Sequence, residues 1–147
     1  MPLLSIEKPI DKAQAKQINP VTLAFLGDAV YSLYVREKLV LFHENKTANL
    51  QRSSSKIVSA KGQSEFLERV LPLFSEEELE IFKRCRNAKK GTKSKNASVA
   101  DYNRSTGFEA VIGYLYAIGD TARIGYLLSF IDETLFQGQA QEKAFKP

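Results

Sequence analysis

Asn19 to Val40 reads NPVTLAFLGDAVYSLYVREKLV, and this stretch decides the fold. Asn19 can accept hydrogen bonds from free backbone N–H groups at a helix start, and Pro20 is tolerated in a first turn. Leu23, Leu26, Val30, Leu33 and Glu37 then recur at helical spacing along one face. Phe25, Ala29 and Tyr34 are expected to widen that face. A long helix, apolar enough to sit at the centre of a helical core, is predicted from Pro20 onward. One residue disagrees with it: Asp28 has no other charge within four positions on either side. Aspartate is a poor helix-interior residue, and a lone buried carboxylate is costly unless paired or bound to a metal.

Outward from this helix the pattern stays helical. Residues 1–18 form a lead-in with a helical turn or two around Asp11–Gln17. Residues 43–55 read as a polar break with a short helix over Thr47–Arg52, and Ser53-Ser54-Ser55 read as a turn within it. KIVSAKGQSEFLERVLPLF carries Ile57, Ala60, Phe66, Leu67 and Val70 at helical spacings and ends near Pro72. Ser75-Glu76-Glu77-Glu78 is a capping box opening ELEIFKRCR. A further apolar helix is expected over Arg104–Ile118, and Asp120 can cap a last one, TARIGYLLSFIDETLF. Gly27, Gly113 and Gly125 lie inside apolar helices and read as close helix–helix approaches. No run of alternating strands is present. The expected fold is all-α: one domain over residues 1–147 with its core at about 19–136, six or seven helices in an irregular bundle.

Composition excludes several classes. With 147 residues, 44% hydrophobic and 26% charged, the chain suits one globular domain with a real core. A single cysteine, Cys85, excludes a disulfide framework and multi-cysteine zinc sites. Arg84 and Arg86 flank it and could lower its pKa, but no partner histidine is apparent, so it reads as structural. The single histidine, His43, reads as a loop residue. No P-loop or GxGxxG pattern occurs. No apolar run reaches the ~18 residues of a spanning helix, and the N-terminus lacks a signal peptide's apolar region. A cytoplasmic protein with no membrane contact is expected.

The net charge of +4 is unevenly spread. Lys83, Arg84, Arg86, Lys89, Lys90, Lys93, Lys95 and Arg104 face one acid, Asp101, within one segment of charge +7, and the remaining chain carries −3. Glycine, serine, threonine and asparagine among these cations make RNAKKGTKSKNAS a loop suited to a phosphate backbone, although an acidic protein or membrane surface would match the charge equally. Glu109, inside TGFEAVIGYLYAI, is the second acid isolated in an apolar helix. Each of the two acids could point outward or pair with Arg36 or Arg104. Two of them on two core helices beside a cationic loop point instead to a shared site. Paired carboxylates suit a hard divalent cation, which can polarise a phosphodiester and activate water.

These same residues carry a resemblance. LAFLGDAV, Leu23 to Val30, resembles the signature of the ribonuclease III catalytic domain, and FEAVIG, Phe108 to Gly113, resembles that family's second acidic motif, in matching order and separation. NPVTLAFLGDAVY, VSAKGQ, RNAKKGTKSKN and STGFEAVIGYLY are similar to the short bacterial branch, the Mini-ribonuclease III subfamily. Only eleven residues follow Phe136, too few for a double-stranded-RNA-binding domain. The resemblance implies an all-α homodimer that cleaves double-stranded RNA with magnesium and trims the ends of the 23S ribosomal RNA precursor. It also implies that Asp28 and Glu109 are catalytic and hold the metal. Full-length relatives in the family have glutamates where this chain has Val21 and Ala24, and an aspartate where it has Thr106. Fewer protein carboxylates would then surround the ion, with waters or phosphate oxygens completing its shell.

With no separate binding domain, the RNA grip is expected from Arg86, Asn87, Lys89, Lys90, Lys93, Lys95, Asn96 and Arg104, and so modest a basic patch leaves room for help from a ribosomal protein. The alternatives are a non-catalytic helical RNA- or ribosome-binding module derived from a nuclease, and a helical adaptor whose basic loop meets an acidic protein.

Overall fold

The structure, a computed structural model, describes residues 7–43, 47–90 and 98–131. Among these residues there are seven α-helices and no strand: α1 Lys12–Gln17, α2 Pro20–Lys38, α3 Thr47–Val58, α4 Ala60–Val70, α5 Glu76–Asn87, α6 Val99–Ala117 and α7 Thr121–Leu128. A π-helical turn, Leu39–His43, prolongs α2, and a 3-10 turn, Leu71–Leu73, closes α4 at Pro72. The all-α expectation holds.

Helix starts follow local chemistry. The Asn19 side chain accepts from Val21 N–H at 2.9 Å, with Pro20 in the first turn. Ser75 and Glu78 form a reciprocal capping box, and Asp120 accepts from Arg123 N–H at 3.1 Å. Ser98 caps α6, which therefore begins several residues before Arg104. Three expectations along the middle of the chain are corrected. Residues 47–58 are one continuous helix, so Ser53 and Ser54 are buried helical residues rather than a turn. The helix expected from Lys56 onward is two, broken at Ser59, whose hydroxyl caps α4 by accepting from Gly62 N–H at 3.0 Å. That hydroxyl offers the backbone a local alternative to continuing the helix.

Helices α2 and α6 form the centre, and two glycines let their backbones touch. A Cβ on Gly27 would lie 1.7 Å from the Glu109 carbonyl oxygen, and one on Gly113 would lie 1.9 Å from the Leu23 carbonyl oxygen. Gly125 is different: nothing lies within 4 Å of a Cβ there, so the third expected close approach does not exist. The buried face of α2 is also rotated from the expected one. Leu23, Ala24, Gly27, Val30, Tyr31 and Val35 are buried, whereas Phe25 is 84% and Leu33 43% exposed, and Ala29 is exposed too. Gly27 must face α6, and that requirement turns the phenylalanine outward.

Around this contact Tyr31, Phe66 and Phe108 join α2, α4 and α6. Phe108 meets Tyr31 at 5.4 Å and Phe66 at 5.3 Å, both edge-on. Such pairs contribute about 0.5–1.5 kcal/mol each beyond their area. Helix α5 closes another side through Phe82, which packs on Phe74 and lies against Gly107. Cys85 is buried, with its sulfur 3.4 Å from the Thr106 carbonyl oxygen. Burial pushes its thiol up to about 11, so the flanking arginines do not activate it. No helix of the described residues is long and apolar enough to cross a membrane.

Candidate active site

The close approach of α2 and α6 places Asp28 and Glu109 together. Gly27, beside Asp28 in sequence, rests on the backbone of Glu109 itself, so the two carboxyl groups emerge from one contact point. Both line a cleft of about 360 Å³. Val21, Ala24 and Phe25 from α2, Gln63 from α4, and Ser105 and Thr106 from α6 line the same cleft. Among the described residues no lysine, arginine or histidine lines it.

The two acids differ in setting. Asp28 stands exposed at the cleft, which corrects the expectation of a buried lone acid, while Glu109 is half-buried. Burial first, then the hydrogen bond to and charge of Asp28, push the Glu109 carboxyl up to about 9, and a hydrogen bond from Gln63 pulls the other way. The Glu109 carboxyl therefore favours its protonated form at neutral pH in the metal-free protein. Two acids close together with no balancing cation are what a divalent ion would neutralise. Arg104 does not serve as that partner: its guanidinium binds Glu68 and the Ser64 hydroxyl. The donor set fits a hard ion. Two carboxylates line the cleft, and the Gln63 amide oxygen is buried there without a hydrogen-bond partner. No larger cluster of His, Cys, Asp or Glu with ligand spacing occurs among the described residues. Val21, Ala24 and Thr106 bring no charge, and Thr106 donates its hydroxyl to the Tyr102 carbonyl at 2.7 Å.

The expected RNA-binding residues fall into different settings. Lys89 and Asn87 are exposed near the end of α5. Arg86 donates to the Asn87 side chain at 3.1 Å and stacks over Phe82. The Lys90 ammonium turns inward and donates to the backbone carbonyls of Cys85, Arg86 and Ala88, satisfying the free end of α5. Burial lowers its pKa. Lys93, Lys95 and Asn96 lie outside the described residues, as do Phe136 and the tail. Gln63 escaped the sequence reading because it is neutral; its only signal was its place in VSAKGQ.

A helical domain whose central helices bring two isolated acids to one cleft is the architecture of a nuclease domain. The Ribonuclease III domain family matches residues 21–120. Among curated proteins, the chain is similar to the Mini-ribonuclease 3 of Staphylococcus aureus, 46% identical over 79% of this chain and 88% of that one. It is likewise similar to the Mini-ribonuclease 3 of Clostridium tetani, 39% identical over 82% of this chain and 80% of the relative. A crystal structure from Fusobacterium nucleatum superimposes with a TM-score of 0.70 at 28% identity, covering 79% of this chain and 93% of its own. The chain belongs to the ribonuclease III family, in the Mini-ribonuclease 3 branch, and is an endoribonuclease.

Proposed function

We propose that this endoribonuclease cleaves double-stranded RNA with magnesium held between Asp28 and Glu109, and that its substrate is the stem formed by the ends of the 23S ribosomal RNA precursor. One observation carries the reading: two carboxyl groups from two core helices line one open cleft that no cation lines among the described residues. Such an arrangement costs stability and has no structural purpose unless something positive is bound there. When bound, magnesium supplies Lewis-acid polarisation of the scissile phosphodiester. Asp28 and Glu109 would hold the ion, and because the Glu109 carboxyl is raised, binding there would strengthen as pH rises. The apolar wall of Val21 and Ala24 keeps other charges away from the pair.

Arg86, Asn87 and Lys89, with Lys93, Lys95, Asn96 and Arg104, supply the grip on phosphates and sugars, while Lys90 supports the loop's root from inside. Duplex RNA is read mainly by shape, phosphates and 2′-hydroxyls, which such groups can contact. A homodimer fits the exposed apolar stripe of Phe25, Ala29 and Leu33 on α2, since Phe25 also lines the cleft and a second copy would cover the stripe beside it. A ribosomal protein is a further partner that would strengthen substrate binding, and the setting is the cytoplasm.

The test is a cleavage gel on duplex RNA with magnesium or with chelator. The wild-type chain should cut only with the metal. Asp28→Asn should lose about 10³-fold or more in rate, in line with removing a group that acts on the reacting centre, while still binding RNA in a steeply salt-dependent manner. Cleavage by Asp28→Asn at the wild-type rate sinks the assignment.

A further inference from the structure

We propose that Gln63 is a positioning residue of this nuclease, holding the Glu109 carboxylate in the geometry that receives the cation. The proposal rests on the reading of Asp28 and Glu109 as the metal-binding pair. Gln63 lies in the first turns of α4, and its side chain is almost wholly buried, at 2% exposure. Its Nε2 donates to the Val58 carbonyl oxygen at 2.9 Å and to Glu109 Oε2 at 3.3 Å. A backbone carbonyl only accepts, so the amide cannot be reversed without setting oxygen against oxygen. Both N–H groups are thereby committed, one to the last residue of α3 and one to the acid on α6.

The rest of the cleft does not share this task. The hydroxyls of Ser105 and Thr106 donate to the Tyr102 carbonyl in their own helix. Val21, Ala24, Val58 and Ala60 have no side-chain donor. Among the described residues, Gln63 is the neutral cleft side chain seen to donate to either acid. A glutamate has three rotatable bonds, and no cation among the cleft's described residues keeps Glu109 from swinging away. A buried donor on one of its oxygens opposes that motion and leaves the other oxygen for Asp28 and the ion. The Gln63 Oε1, buried and without a partner, adds a hard acceptor to the same wall. Outer partners that orient metal-binding carboxylates typically carry about 10–100-fold of affinity or activity.

Gln63→Met keeps the volume and removes the donors. Its kcat on duplex RNA should fall by about 10-fold or more, with KM for RNA held within about twofold. Manganese(II) affinity without RNA, followed by electron paramagnetic resonance, should fall in parallel. A role limited to joining α3 to α4 predicts a lower melting temperature with unchanged kcat per folded molecule and unchanged manganese affinity; that result overturns the proposal. A second measurement needs no variant. In the wild-type chain with ¹⁵N-labelled glutamine, the Gln63 amide resonances should shift as magnesium is added, and resonances unmoved at magnesium concentrations that saturate cleavage also overturn it. Asp28→Asn is assayed alongside. If Asp28→Asn cleaves normally, the metal-pair reading fails and the role of Gln63 fails with it. If Asp28→Asn is inactive while Gln63→Met is normal, the positioning role alone fails.

Discussion

Glu78 and Glu109 are both drawn into the interior, and their surroundings are opposite. Glu78, 3% exposed, receives two hydrogen bonds from Arg123, each 2.9 Å, and one from the Ser75 N–H at 2.8 Å. Arg123 is itself steadied by the Leu73 carbonyl at 2.9 Å and by Tyr126, over whose ring it sits. Glu109 has an acid and an amide for company instead, and its carboxyl keeps a proton up to about pH 9. The first acid fastens α5 to the start of α7 through a guanidinium; the second meets α4 only through the neutral amide of Gln63. Burial alone therefore does not mark a functional acid. The sign of its neighbour separates the two, because a carboxylate opposite a guanidinium is satisfied and a carboxyl group opposite another acid is not.

The most severe way to break this contrast is Gly27→Ala. Its methyl group would collide with the Glu109 carbonyl oxygen, backbone against backbone, and α2 and α6 would have to separate. A loss of about 3 kcal/mol or more in denaturant unfolding is expected, together with loss of cleavage. A stable, fully active Gly27→Ala would mean that the glycine contact does not set the carboxyl pair.

Arg123→Met comes next. It strands a buried carboxylate, which typically costs about 3–5 kcal/mol. Because Arg123 is 28% exposed and water screens part of its charge, about 2–3 kcal/mol is expected here. The folded fraction should cleave RNA at the normal rate, and a specific loss of kcat would erase the distinction between the two acids.

The effect that is smallest per step is read from pH. The Glu109 carboxyl is raised from 4.5 to about 9, so between these values the folded state retains a proton that the unfolded chain has lost. Stability of the metal-free protein should fall as pH rises through that window, with a slope of at most about 1.4 kcal/mol per pH unit from this group. Glu109→Gln should remove that component and also abolish cleavage, and a divalent cation should flatten the wild-type curve. If wild-type and Glu109→Gln curves run parallel from pH 5 to 9, the strained pair is not present in solution.

Much of this was legible along the chain because its causes are local. Asn19, Ser75 and Asp120 start helices by bonding N–H groups within a turn, and all three work as their sequence context implies. Asp28 and Glu109 stood out because charge inside an apolar helix is costly wherever that helix packs. What was misread depends on partners distant in sequence. Phe25 and Leu33 look like core residues until Gly27 is set against α6. Gly125 resembles Gly27 in its helix but faces open space. Lys90 belongs to a basic run, yet its ammonium closes the end of α5. Gln63 carried no charge to betray it, and 46 positions separate it from Glu109.

By itself, then, the sequence determined an all-α chain, its helix starts, the two acids out of place, and the family signature around them. The helix starts and the misplaced acids follow from hydrogen bonding within a turn and from the cost of isolated charge, which need no tertiary information, and the signature is carried by resemblance. Only the tertiary structure decided that two glycines bring the acids to one cleft, that Asp28 is more open to water than Glu109, and that an amide from α4 donates to the less exposed one. Those outcomes depend on which backbones can touch, and close packing settles that only once the helices have met.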